Sequence, residues 1–181
     1  MSLAAGEHRI DAAQGTLRVH TFREGVAQRV GHDLIIQVES WSGTVSVDAD
    51  GTINAVSLQA DSTSLQVKEG LHGVKPLSDK DRADIRRNID EKVLRRQPIS
   101  FASSAVKADD GDAVTLSGEL TLVGTTRPAD FPVRVGDDGR ATATVPLTQS
   151  GFGIKPFRAL MGALKVSDAV EIAVDVQLPT A

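Results

Sequence analysis

Histidine trades protons near neutral pH more readily than any other side chain, and the chain carries four: His8, His20, His32 and His72. No two stand three or four residues apart, the spacing that lets one helical face hold a metal, and no acidic cluster accompanies them. His20 and His32 are free to approach each other across strands. His32-Asp33 beside Gly31 has the form of an oriented general base, but no nucleophile goes with it, and an aspartate there also suits a turn. There is no Gly-x-Ser-x-Gly elbow, P-loop or dinucleotide fingerprint. Gly151 and Gly153 make a lone Gly-x-Gly, which loop flexibility explains. Arg82, Arg86, Arg87, Lys92, Arg95 and Arg96 interleave with acids, the pattern of a solvated helix face with i,i+4 pairs rather than an anion site. The absence of cysteine removes disulfides, thiolate nucleophiles and thiolate metal sites. No reaction, metal or cofactor is specified, and the expectation is a protein that is not an enzyme.

The 181 residues suffice for one domain, 1–181, with no repeat or linker to divide it. The formal net charge is −4 and the basic residues form no stripe. That weighs against a nucleic-acid partner and gives no support for an anionic membrane surface. No apolar run approaches the ~20 residues of a membrane span, and MSLAAGEHRID has no basic-then-apolar leader. The chain therefore reads as cytoplasmic, without stable membrane insertion, and a homodimer stays open. Aromatics make up only 3% of residues and tyrosine is absent, so Val, Leu, Ile and Ala must fill the interior.

The elements that would position such an interior are strands. Val114, Leu116, Gly118, Leu120 and Leu122 alternate with polar neighbours, the period of a half-buried strand. Gly124 to Pro128 reads as a turn, after which Phe131, Val133 and Val135 resume the alternation. Pro128 and Pro132 donate no ladder hydrogen bond and belong at a turn, strand end or edge. Leu34, Ile36 and Val38 occupy even positions but Trp41, Val45 and Val47 odd ones; a bulge or corner near Glu39 to Ser42 follows. Asp50-Gly51 and Asp137-Asp138-Gly139 are hairpin signals. Asp61 to Gly73 is weakly patterned. One helix, about 79–96, is expected from the Ser78 cap, the apolar face of Ile85, Ile89 and Val93, and the Pro98 stop. Val170, Ile172, Val174, Val176 and Leu178 close the chain. The fold class is all-β with one main helix, an antiparallel barrel or sandwich. The lumen of such a barrel is either packed or wide enough for one slender ligand, and composition leaves both open.

Several stretches resemble the YceI-like family of polyisoprenoid-binding proteins: IDAAQGTLRVHTF, GHDLIIQVESWSGTVSVD, VLRRQPISFASSAV, GELTLVGTTRPADFPVRV and GFGIKPFRALMGALKVSDAVEIAVDVQL. The Gly118 to Pro128 unit is the most specific of them. The resemblance implies an extended eight-stranded antiparallel lipocalin-like β-barrel, a helix over it, and an isoprenoid or similar amphipathic lipid bound, stored or transported in the lumen. Members of the family are often exported, and KEGLHGVKPLSDKDRADIRRNIDE departs from the commoner approach to the helix. On this reading the lining is Leu17, Val19, Ile36, Val38, Trp41, Phe101, Leu116, Leu120, Leu122, Phe131, Val133, Val145, Ile172 and Val174. Phe152, Phe157, Leu160 and Met161 would form a gate. Two alternatives remain: a ligand-free stress or interaction module with its working surface outside, and an enzyme using His20 or His32 inside the barrel.

Overall fold

A computed structural model describes residues 3–181. The N-terminal half builds β1 (Gly6–Asp11), β2 (Gly15–Thr21), β3 (Arg23–Glu24), β4 (Asp33–Val38), β5 (Trp41–Val47), β6 (Ile53–Ala60) and β7 (Leu65–Leu71). Helix α1 (Asp79–Asn88) follows. Then come β8 (Ile99–Ala108), β9 (Ala113–Leu122), β10 (Thr125–Val135), β11 (Arg140–Thr148), β12 (Arg158–Ala159), β13 (Leu164–Val166) and β14 (Ala169–Gln177). Eleven of these form one strongly curled antiparallel sheet, a half-barrel, in the order β1-β5-β6-β8-β9-β10-β11-β14-β2-β4-β7. Strands β12, β13 and β3 make a small second sheet.

Eleven strands replace the eight expected, and the reason is local. The run from Asp33 to Val47 is cut at Glu39–Ser40, where the parity of its apolar residues changes, and β6 and β7 are parted at Asp61–Ser64. The two bends face each other: the Glu39 N–H donates to the Ser64 carbonyl (3.1 Å) and the Asp61 N–H to the Ser40 carbonyl (2.9 Å). One long hairpin is thereby folded over, so that β5–β6 pair at one end of the sheet order and β4–β7 at the other. Strand β1 adds a further edge against β5. The weakly patterned 61–73 segment thus holds a strand, β7, with a shift of register at Lys68 where it pairs with β4.

The β9–β10 hairpin is tighter than expected. Its turn is Val123–Gly124 alone, both with positive φ (50° and 73°), as a two-residue type I′ turn requires. Pro128 and Pro132 lie inside β10. They are tolerated because β10 pairs with β9 along its length but with β11 only at Arg134↔Thr142 and Val135↔Ala141. The Val135 N–H reaches Asp112 on the β9 side while the Gly136 N–H reaches Arg140 on the β11 side. Backbone direction alternates along a strand, so even-numbered positions of β10, both prolines included, face β11. The Leu178 N–H donates to Gly139, turning odd positions of β11 to β14 and leaving Pro146 to face β10. Three prolines thus flank an unpaired seam between β10 and β11.

Helix α1 begins in a capping box. The Asp81 N–H donates to the Ser78 hydroxyl (3.1 Å) and the Ser78 N–H to the Asp81 carboxylate (2.9 Å). The α-helical geometry stops at Asn88 rather than near residue 96. A π-turn covers Ile89–Val93, and Arg95 and Arg96 are left-handed (φ 51° and 54°). The helix lies beside the edge strand β7. There Arg82 donates to the carbonyls of Val67 (2.8 Å) and Lys68 (2.9 Å) and Arg86 to that of Thr63 (3.2 Å). The basic face is therefore more than solvated: it satisfies carbonyls that an edge leaves bare. The Ser78 hydrogen bonds, backbone first, hold the Asp81 carboxyl below its ordinary value of 3.8. A depressed carboxyl stabilises the fold above its unfolded pKa and loses that contribution as pH falls through its folded pKa. Protection of the first α1 amides against hydrogen exchange should accordingly persist at neutral pH and fall only below pH 3.8. Asp81→Ala should lower that protection already at pH 7.

Candidate functional site

The concave face of the curled sheet encloses a cavity of about 260 Å³. Strand alternation builds its wall in cross-strand rows. Val145, Ile172, Val19 and Ile36 follow one another across β11, β14, β2 and β4. Leu58, Phe101 and Leu120 do so across β6, β8 and β9, and Leu116 stands opposite Phe131 on β10. The Phe101 and Phe131 rings pack at 5.2 Å between centroids, tilted by 52°, the geometry aromatic pairs prefer. Ile89, Val93 and Leu94 roof the cavity, so the π-turn, rather than the α-helix before it, carries the cover.

Leu17, Val19, Ile36, Val38, Phe101, Leu116, Leu120, Leu122, Phe131, Val133, Val145, Ile172 and Val174 all line this cavity. Five residues expected there do not. Trp41, buried in the core, borders a separate, more polar groove with Arg9, Gln59, Asp61 and Ser100 instead. It opens the strand after the corner at the margin of the sheet's inner face, opposite the cavity-lining Ala60, and packs in the core beside the lumen rather than bordering it. Phe152 is buried in the core behind the wall. Phe157, Leu160 and Met161 are exposed on a loop outside the cavity and form no gate over it. The lining also takes in residues not anticipated, among them Ile10, Ile53, Val56, Ala143 and Leu147. Their alternation on neighbouring strands carried the signal.

Polar groups on the wall are few: Thr21, Thr142 and Gln149. The Gln149 side-chain amide donates to the Ser167 carbonyl (2.9 Å), whereas the buried Thr21 hydroxyl oxygen has no hydrogen-bond partner. Thr21 ends β2 and Gln149 follows β11, so both stand at the end of the cavity where the loops gather. On the rim there, Arg127 donates to the Gly151 carbonyl (2.9 Å) and Arg95 to that of Gly153 (3.1 Å). The wall itself carries no ionisable side chain.

Neither histidine of the enzyme alternative reaches the lumen. His20 sits opposite Glu171 on the outer face of the sheet. His32 donates through Nε2 to the Lys75 carbonyl (2.7 Å). Asp33 accepts from the Arg23 N–H (2.7 Å) and stands 3.4 Å from His72. Among the described residues, no three His, Cys, Asp or Glu side chains converge as a metal site.

A family model described as the YceI-like domain matches residues 8–178. The chain belongs to the YceI-like family. Among solved structures, this YceI-like chain is similar to BcnA of Burkholderia cenocepacia. That match has a TM-score of 0.65 and 17% identity, covering 90% of this chain and 94% of that one. It is also similar to the YCEI protein of Campylobacter jejuni (TM-score 0.54, 13% identity, 78% of this chain and 81% of that one). At these identities the likeness is one of fold. No curated protein matches the chain. No helix among the described residues is long and apolar enough to cross a membrane.

Proposed function

We propose that this YceI-like protein binds, stores or transports an amphipathic lipid of the polyisoprenoid kind, its tail in the lumen of the half-barrel. The observation that carries this reading is the cavity itself. Slim aliphatic side chains on facing strands leave about 260 Å³ unfilled, with hardly a polar atom on the wall. A protein interior closed for stability alone packs such space away, and an apolar void of this kind takes up apolar guests. Tail transfer from water supplies the driving force, ~25 cal/mol per Å² of surface buried. The polar head belongs at the Thr21–Gln149 end, beside the rim arginines Arg95 and Arg127, since no other part of the wall offers comparable partners. Binding rather than catalysis is the role the lining favours, since the wall carries no ionisable side chain to serve as acid or base.

Native mass spectrometry of protein purified without detergent tests the proposal. The expected result is a mass excess released on organic extraction as a long-chain lipid, together with saturable uptake of a polyprenyl phosphate by the stripped protein. Protein that is ligand-free as isolated and takes up no polyprenyl or other long-chain lipid would overturn it.

A further inference from the structure

The two loops that leave the cavity wall at Thr21 and Ile154 meet on the outside of the barrel. The small sheet fixes them there: β13 pairs with β3 on one side and β12 on the other. The Ala27 N–H donates to the Ala163 carbonyl at 2.8 Å. What these joined tips present to water is apolar. Val26 and Met161 are almost wholly exposed (94% and 107%), and Phe22, Val30, Phe157 and Leu160 are substantially so. Leu160 and Met161 also hold left-handed backbone (φ 49° and 54°), a strained conformation for residues with side chains. Burial cannot explain that strain, because neither side chain is buried. The strained turn instead keeps two large apolar groups pointed outward.

Charge separates this surface from the rest of the molecule. Residues 22–31 and 153–166 hold five basic side chains, Arg23, Arg29, Lys155, Arg158 and Lys165, against the single acid Glu24. The whole chain is net negative. Lys165 pairs with Glu24 at 3.7 Å, while Arg29, Lys155 and Arg158 pair with no acid among the described residues. Exposed apolar side chains interspersed along two joined loops with unneutralised cations match the surface of an anionic bilayer. The apolar groups suit the acyl boundary and the cations suit the phosphates.

We propose that the Val26–Val30 and Phe157–Met161 tips dock the protein reversibly on an anionic lipid bilayer, setting the loop end of the lumen against the membrane. The use of that contact, transfer of lipid between bilayer and lumen, rests on the carrier reading above; the contact itself does not. Flotation with phosphatidylcholine vesicles, and with vesicles of equal parts phosphatidylcholine and phosphatidylglycerol, tests it. The full chain should float with the anionic vesicles at low salt. It should float at least about tenfold less with phosphatidylcholine alone or in high salt, since each surface cation adds attraction that ions screen. Met161→Asp should release the protein, and so should the double change Arg29→Glu with Arg158→Glu. These side chains face water, and circular dichroism checks that the fold survives. Equal binding to both vesicle types, no binding, or binding untouched by either variant would overturn the proposal. So would a solution dimer that Met161→Asp dissociates, because a second copy would then cover the patch. Protein that carries lipid yet ignores vesicles sinks the docking surface alone. Protein that floats but takes up no lipid sinks the carrier reading alone.

Discussion

Val174→Trp should yield a folded protein that no longer retains lipid. Val174 lines the cavity opposite Leu17 and Ala143, and its side chain borders empty space on the inner side, so an indole can enter without displacing the backbone. Removing even ~100 Å² of tail contact forfeits about 2.5 kcal/mol at ~25 cal/mol per Å², between tenfold and a hundredfold in Kd. Titration of the stripped variant with polyprenyl phosphate measures the loss, and thermal melting separates it from misfolding. A melting temperature equal to or above that of the unchanged chain is expected, because filling a void restores contacts that its lining lacks. Unaltered affinity in a well-folded variant would place the tail somewhere other than this cavity.

The second large effect is on stability. Gly118→Ala should lower the melting temperature by roughly 10 °C. A methyl group there would lie 2.2 Å from the Ala102 carbonyl oxygen and 2.8 Å from the Ser103 Cα, backbone atoms that cannot rotate aside. The close approach arises where β8 shifts register against β9 between Ser103 and Ala105, so the glycine lets the bulged strand press onto its neighbour. Overpacking against backbone costs about 3 kcal/mol, and in a domain of this size each kcal/mol moves the midpoint ~2–4 °C. Gly151→Ala is the control. Its added methyl would meet nothing within 4 Å, and a surface change of that kind stays within ~0.5 kcal/mol. Equal melting of the two variants would contradict the account of Gly118.

Much of the cavity wall was legible because period-two alternation is a direct record of which side chains a sheet buries. Leu116, Leu120 and Leu122 on β9 and Ile172 and Val174 on β14 needed nothing more. The corner at Glu39–Ser40 showed itself as a change of parity, although its effect on the strand count did not. Deciding whether a bend leaves one strand or makes two takes the partner segment, here Asp61–Ser64, whose residues carry no pattern of their own. Apolar bulk without periodicity misled most. Phe157, Leu160 and Met161 look like lumen residues by composition, yet nothing in a loop's sequence says which way its side chains point. The Gly124–Pro128 turn failed for a related reason. Proline marks a missing donor, which a turn and an unpaired strand edge satisfy equally well. Net charge hid the basic loops in the same way, because an average over the chain carries no map.

The prolines beside the β10–β11 seam bear on how the protein behaves in company. Unpaired strand backbone ordinarily invites another chain to zip onto it, the first step toward fibres and swapped assemblies. With Pro128 and Pro132 on one lip and Pro146 on the other, a visiting strand would find gaps where its carbonyls need donors. The molecule can thus keep a parted sheet at high protein concentration without becoming a template for its own aggregation.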